Sequence, residues 1–293
     1  MKYSRRTFLK WVGASLAATS LRPMLAFLPA FDISLHRGRA LTALPVYQYR
    51  GQDAPIVSHI WPDSAIEFSE SRGEWYQVAG GFVQRDSIQP MNPDQNGEHR
   101  FETQYPFWAE VIGPAASVRS YCAANAPLAT RIGHGGVMQV VDGLPGEPYG
   151  WYAVADAGGY ILGWTQATQW QKIVMEPDSD AERLIIVEQP THTLTAYENG
   201  KPILKAAYAA GMEIAGGLYP SERLSPGGGY WNGDPNYHGL PWRIRLSEKY
   251  EISGAYWHNR FGQGVPGPAL QLPVAVARWL YEWHSSGVPV VIK

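Results

Sequence analysis

The sequence predicts a mostly β protein: two small β-barrels followed by a third β unit that carries one helix. Three observations predict it. Gly (31) and Pro (23) are abundant beside 13% aromatic residues, a mix that favours many short strands and turns over long helices. A Trp-Tyr strand pattern occurs twice in the same context. One stretch near the C-terminus has clear helical spacing.

From Ala40 onward the chain reads as short β segments: Leu44–Tyr47, Ile56–Trp61, Gly73–Val78 and Gly80–Val83. The unit closes at Asp86–Pro90, giving a first barrel over 38–90. A similar order recurs over 107–171, opened by Val118-Arg119-Ser120-Tyr121. Gly150-Trp151-Tyr152-Ala153-Val154 matches Gly73-Glu74-Trp75-Tyr76-Gln77-Val78, and Gly158-Gly159-Tyr160-Ile161 matches Gly80-Gly81-Phe82-Val83. Such self-similarity marks two copies of one β unit. Adjacent strand residues face opposite sides, so one residue of each Trp-Tyr pair belongs to the core, and a buried Trp is expected in each copy. Residues 91–106 read as a linker, and Met175–Asp180 is a second polar break.

The third unit, 183–293, opens with the strand Arg183–Val187 and a turn at Gln189–His192. Thr193–Tyr197 alternates as a second strand, and Glu198-Asn199-Gly200-Lys201 supplies hairpin chemistry. The helix is predicted over Pro273–Trp283: Pro suits a first turn, and Val276, Trp279, Leu280 and Trp283 share one face. Val288–Ile292 reads as a closing strand.

With 24 basic against 26 acidic side chains the net charge is -2, which excludes nucleic acid as a main partner, because phosphate binding needs a basic face. The 45% hydrophobic content excludes wholesale disorder. Cys122 is the lone cysteine; it closes no internal disulfide, builds no thiolate-rich zinc site, and reads as a small buried hydrophobe. At the N-terminus, Ser4-Arg5-Arg6-Thr7-Phe8-Leu9-Lys10 precedes an apolar stretch from Trp11 to Leu21. A positive start, twin arginines and an apolar region form a Tat-type export signal over 1–31, which points to the cell envelope. Arg22 ends the apolar run well short of the ~20 residues of an ordinary membrane span, so any membrane contact is expected only through this segment if it is kept.

Each small barrel resembles a bacterial Src-homology-three-like domain, a kind that often binds peptides or cell-wall polymer. The third unit resembles the YkuD-type L,D-transpeptidase catalytic domain. The resemblance rests on Glu188-Gln189-Pro190 with Leu194–Gly200, on Ile252-Ser253-Gly254-Ala255-Tyr256-Trp257-His258-Asn259-Arg260-Phe261-Gly262, and on Leu272–Trp283 followed by Gly287-Val288-Pro289-Val290. Members of that family cross-link peptidoglycan stem peptides through a cysteine acyl-enzyme. That route needs a thiolate, a histidine to generate it and backbone donors for the oxyanion, and no cofactor or metal.

The family pattern is His-Gly-x-x-x-His-Asn, then Ser-His-Gly-Cys. Laid on this chain without gaps, the first His falls on Ser253 and the Ser-His-Gly-Cys block on Pro266-Gly267-Pro268-Ala269. The nucleophile position is therefore Ala269, its neighbouring His is Gly267, and the position of the usual Asn is Gln271. Pro266 and Pro268 each remove a backbone N–H from the loop. The resemblance thus implies a degenerate catalytic motif with no catalytic residues. It leaves a cleft formed by Tyr256, Trp257, His258, Asn259 and Gln271.

Three readings follow. The first is an exported, non-catalytic relative that binds peptidoglycan, a wall peptide or an envelope protein. The second is relocated chemistry: a Ser253/His258-dependent hydrolase or a residual transpeptidase. Strand alternation counts against the hydrolase, because residues 253 and 258 differ by an odd number; a metal site from Asp234, His238 and His258 is a chance-level grouping. The third is a structural protein whose last unit only packs against the barrels.

Overall fold

The computed structural model describes residues 37–70, 73–91, 101–146, 149–156, 158–175, 181–228, 237–267 and 269–293. The segment 1–31, predicted as an export signal, lies outside them. The architecture is mostly β with one helix among the described residues, as the sequence predicts.

Residues 37–172 form two separate sheets. The first contains β1 (Arg37–Ala40), β2 (Leu44–Tyr47), β3 (Ile56–Ile60), β4 (Ala65–Glu70), β5 (Trp75–Val78), β6 (Gly81–Gln84) and β7 (Ile88–Pro90). The second contains β8 (Phe107–Val111), β9 (Ala115–Arg119), β10 (Leu128–Gly133), β11 (Val137–Leu144), β12 (Trp151–Ala155), β13 (Ile161–Gln166) and β14 (Trp170–Lys172). Their strand orders are β3-β2-β6-β5-β4-β1-β7 and β10-β9-β13-β12-β11-β8-β14, the same topology twice. Detail repeats as well. Leu44 pairs with Ile60 as Ala116 pairs with Ile132, and a short 3₁₀ turn precedes the last strand of each sheet, Arg85–Ser87 and Ala167–Gln169.

The sequence alignment of the two copies slips at one hairpin. Tyr76 lies opposite Val83, and Tyr152 lies opposite Thr165, so the counterpart of Val83 is Thr165 and not Ile161. The second hairpin is longer and carries a bulge between Val154 and Ala155, which leaves Tyr160 in solvent. The Trp-Tyr expectation needs a second correction. In both copies the tyrosine is buried, and Trp75 and Trp151 are half-buried. The reason is the direction of the pleat. Tyr76 points inward and stacks on Phe68 at 4.2 Å; Tyr152 points inward against Phe101 at 4.9 Å. The Tyr152 hydroxyl accepts the Glu102 N–H at 2.7 Å, and burial pushes its pKa up to about 12. Cys122 is half-buried rather than buried, in the β9–β10 loop.

The third unit begins with β15 (Arg183–Glu188), β16 (Thr193–Glu198), β17 (Lys201–Ala207) and β18 (Gly217–Tyr219). It continues with β19 (Glu222–Arg223), β20 (Ile244–Arg245), β21 (Glu251–Ala255) and β22 (Ala269–Pro273). Helix α1 (Val274–Trp283) and β23 (Val290–Ile292) follow. One sheet runs β17-β16-β15-β23-β18 and the other β19-β20-β21-β22. The β16–β17 hairpin turns through Asn199 (φ 49°) and Gly200 (φ 76°), the two left-handed residues that such a turn requires.

Pro273 does sit at the start of α1, with φ -51°. The buried side of the helix is Val274, Val276, Ala277, Leu280 and Tyr281. Trp279 and Trp283 lie on its flank and stack on each other at 5.7 Å. Trp283 Nε1 donates to Glu198 Oε1 at 3.1 Å, and the Arg183 guanidinium lies 5.1 Å from its ring centroid. The indole has a polar end to satisfy, so the flank suits it better than the core.

The apolar packing divides unequally. Residues of the second sheet, the third unit and α1 form one continuous core, from Phe107 and Ile132 through Trp242 and Ile252 to Leu280 and Ile292. Ala40, Leu44, Val46, Phe68, Tyr76, Val78, Val83 and Ile88 of the first sheet form a core of their own.

Replacing Tyr152 by Ala removes a buried aromatic and is expected to cost ~3–5 kcal/mol in denaturant unfolding. Trp151→Ala is expected to cost less than half as much. Equal costs would show that the inward residue has been misassigned.

Candidate functional site

Strands β21 and β22 place the motif positions side by side. They run parallel, with Glu251 beside Ala269, Ser253 beside Gln271 and Ala255 beside Pro273. Ser253 and Gln271 are fully buried. Partners in a parallel pair share a face of the sheet, so these two side chains are neighbours across the strands. On its other edge, β22 bonds to Ala209: the N–H of each of Ala209 and Gln271 donates to the carbonyl of the other at 2.8 Å.

His258 lies beyond the end of β21, where strand alternation no longer sets its direction. It turns back onto Gln271. The Arg260 N–H donates to His258 Nδ1 at 3.1 Å, so Nδ1 is unprotonated and Nε2–H donates to Gln271 Oε1 at 2.9 Å. Burial lowers the pKa of this ring, opposed by the Gln271 contact and reinforced by Arg260. The imidazole is thus neutral, with both nitrogens engaged. The Ser253 hydroxyl and the Gln271 amide nitrogen are buried with no hydrogen-bond partner among the described residues. Ser253 and His258 approach the same glutamine but do not bond to each other.

Of the remaining residues expected to line a cleft, Tyr256 is buried and its hydroxyl donates to the His238 carbonyl at 2.6 Å. Trp257 and Asn259 are partly exposed. Trp257 packs on Tyr237 with ring centroids 5.3 Å apart. Asn259 Nδ2 donates to the Arg85 carbonyl of the first sheet at 3.2 Å. The segment before Ala269 lies along Ala209–Gly211: the Gly262 N–H donates to the Tyr208 carbonyl and the Val265 N–H to the Ala210 carbonyl. Gly267 is half-buried with φ 148°, and Pro268 lies outside the described residues. Asp234 of the conceivable metal grouping also lies outside them; among the described residues no three His, Cys, Asp or Glu side chains gather to hold an ion.

Two groupings escaped the sequence reading. Ser221 Oγ lies 2.6 Å from His284 Nε2 and donates to the Val288 carbonyl, both residues being buried. With its proton on a carbonyl, that hydroxyl is an acceptor for the imidazole, which makes the pair a clamp between α1 and the loop after β18. Residues 63 positions apart carry no sequence signal of such a pair. The second grouping surrounds Arg39 and joins all three units. Its Nε lies 3.0 Å from Asp63 Oδ1, and its Nη1 donates to Gln89 Oε1 at 3.1 Å. Gln89 Nε2 donates to the His134 carbonyl at 2.8 Å. The guanidinium lies over the Tyr256 ring, 5.9 Å from its centroid. Gly133 is required there, since a Cβ on it would run into Arg39 Nη1. The His134 ring donates from Nδ1 to Gly113, and burial holds its pKa down at about 4, so it is neutral at pH 7. The run Gly133-His134-Gly135-Gly136 was the one available hint that something presses close.

No protein-family model matches the chain, and no curated protein matches it. Several solved structures do. The catalytic domain of the E. faecium L,D-transpeptidase is 16% identical, covering 39% of this chain and 100% of that one, with a TM-score of 0.33. An L,D-transpeptidase from Mycobacterium smegmatis is 14% identical over 65% of this chain and 100% of that one, with a TM-score of 0.32. One from Mycobacterium tuberculosis H37Rv is 12% identical over 70% and 89%, with a TM-score of 0.34. Likeness at this level carries no argument by itself; what the site does rests on its own residues.

Because the Ser253 hydroxyl is buried and has no partner among the described residues, Ser253→Ala is expected to be neutral or to stabilise the fold by about 1 kcal/mol. Gln271→Leu is expected to destabilise it, since His258 then loses its acceptor. Thermal or denaturant melts of both variants check this; a large loss on Ser253→Ala would mean that the hydroxyl has a partner.

Proposed function

We propose that this chain is an exported relative of the L,D-transpeptidases that works in the cell envelope by binding peptidoglycan stem peptide, or a wall-bound partner, without acyl transfer. The observation that carries the reading is the Ser253–Gln271–His258 arrangement beside Ala269. Acyl transfer through this site needs an atom at position 269 that attacks a carbonyl, and alanine offers a methyl group. The motif positions of the family's other histidines are Ser253 and Gly267, and the remaining one, His258, is buried with both nitrogens engaged, Nδ1 by the Arg260 N–H and Nε2 by Gln271. A relocated Ser253/His258 hydrolase is disfavoured by the same geometry, since the hydroxyl is buried and makes no hydrogen bond to the imidazole.

Binding in place of catalysis is supported by the outer surfaces. Equivalent hairpins of the first two sheets each expose a tyrosine and an aliphatic residue, Tyr49 with Ile56 and Tyr121 with Leu128. Trp257 and Asn259 supply a partly exposed aromatic face and an amide on the site loop. The cell-envelope location rests on the twin-arginine segment. Among the described residues no helix is long and apolar enough to cross a membrane.

Purified protein incubated with a tetrapeptide-stem muropeptide and an acceptor is expected to yield no cross-linked product and no covalent adduct by mass spectrometry, and to be retained on isolated sacculi. Product, or an adduct mapped within residues 253–271, would overturn the non-catalytic reading. Absence from the sacculus pellet would overturn wall binding. For export, Arg5→Lys/Arg6→Lys is expected to accumulate inside the cell; unchanged export removes the Tat assignment.

A further inference from the structure

We infer that the first sheet is a displaceable cap over the site loop Tyr256–Asn259, pinned by Arg39. The second sheet and the third unit share one apolar core, and among the described residues none of the first sheet belongs to it. Cohesion between the second sheet and the third unit is therefore hydrophobic and continuous with folding. The first sheet has its own closed core and meets the rest through polar groups.

Those groups converge on one side chain. On β1, Ala40 points into the core of the first sheet, and Arg39, its neighbour, points to the opposite face. There Arg39 is 7% exposed, its guanidinium wedged between Gly133 of β10 and the Tyr256 ring. Asp63 neutralises it and is itself shared with Arg131 of β10 at 3.1 Å. Gln89 extends the contact to the His134 carbonyl. On the far side of Tyr256 the cap reaches the site loop itself, where Asn259 holds the Arg85 carbonyl and Asp86 lies close enough to His258 to act on its charge.

A joint of this kind is separable. Domains joined by small polar interfaces move relative to one another by default, whereas a shared apolar core prevents it. Each polar contact has an alternative partner in water, so opening the joint forfeits geometry more than burial. The cap covers the Tyr256 side of the loop and ties up the Asn259 amide. Its displacement frees the Asn259 amide and uncovers the Tyr256 ring while the second sheet, the third unit and α1 stay folded.

The consequence for ligands rests on the proposed wall-binding function, but the docking itself does not. Hydrogen-exchange mass spectrometry on the intact protein tests the docking. Arg39→Ala is expected to speed exchange roughly tenfold in peptides covering 85–89, 131–136 and 256–260, with β12 and α1 unchanged. Asp63→Asn, which keeps the side-chain volume, is expected to act in the same direction and less strongly. Arg50→Ala, a surface arginine of the same sheet, serves as the unaffected control. Unchanged exchange in Arg39→Ala overturns the cap. So does loss of protection throughout β4–β6, because the first sheet then needs the joint in order to fold. Retention on sacculi is scored separately. Arg39→Ala should be retained more strongly than wild type if the uncovered loop binds wall peptide. Faster exchange without greater retention keeps the cap and removes the loop as the binding face.

Discussion

Helix α1 occupies the place where the second sheet meets the third unit, and the packing on both sides depends on its burial. Val274, Val276, Ala277, Leu280 and Tyr281 fill the shared core. At about 1.5–3 kcal/mol for each fully buried large apolar side chain, this face outweighs any polar contact nearby. The same helix carries Arg278, whose Nη1 donates to the buried Glu110 of β8 at 2.7 Å. Burial works against the charge on Arg278, but Glu110 and Glu282 outweigh it and its pKa is raised. Its guanidinium also lies 5.4 Å from the centroid of the Trp242 ring. A buried pair of this type adds little net stability compared with apolar side chains of the same volume. It does penalise any other docking, which would strand Glu110 without a cation. Apolar area thus holds α1 in place, and the ion pair defines how it sits.

The site inherits its geometry from that packing. Helix α1 follows β22 directly, so anchoring the helix anchors β22 beside β21. The parallel register then brings Gln271 next to Ser253, and His258 closes over it. What results is a buried His258–Gln271 hydrogen bond beside a buried serine. A buried imidazole paired with an amide has no reason to take up a proton near pH 7, whereas a catalytic one needs a partner whose proton it removes. The polar joint at Arg39 adds a second level of control, because it touches the loop from outside the core.

The opening hairpin, the helix and the closing strand of the third unit were legible because local signals are strong there: a left-handed turn at Asn199-Gly200, Pro273 at the start of a helix, and alternating or continuous apolar runs; the short strands β18–β20 between them carry no such pattern. The repeat in the first two units was legible as well, but its register was not. A bulge at Val154–Ala155 displaces the second hairpin, and a match of Gly-Gly-aromatic-aliphatic residues cannot sense it. Which member of each Trp-Tyr pair points inward was equally hidden, since alternation says only that they differ.

Ala269, Gly267 and Ser253 are facts of the sequence alone, and no folding restores a thiolate or an imidazole where the chain carries none. Sequence likewise determined the charge balance, the single cysteine and the place of the helix near the C-terminus, because these follow from composition and local pattern. Tertiary structure decided the rest. It set His258 on Gln271 despite the odd spacing from Ser253, because the residue lies past the strand end where the backbone is free to turn. It brought Arg39 against Gly133 and Tyr256, and Glu110 against Arg278, across separations that no local signal spans. The physical reason is the same in each case: a buried charge or amide is placed by whichever partners packing brings within reach, and those partners are chosen by the fold as a whole.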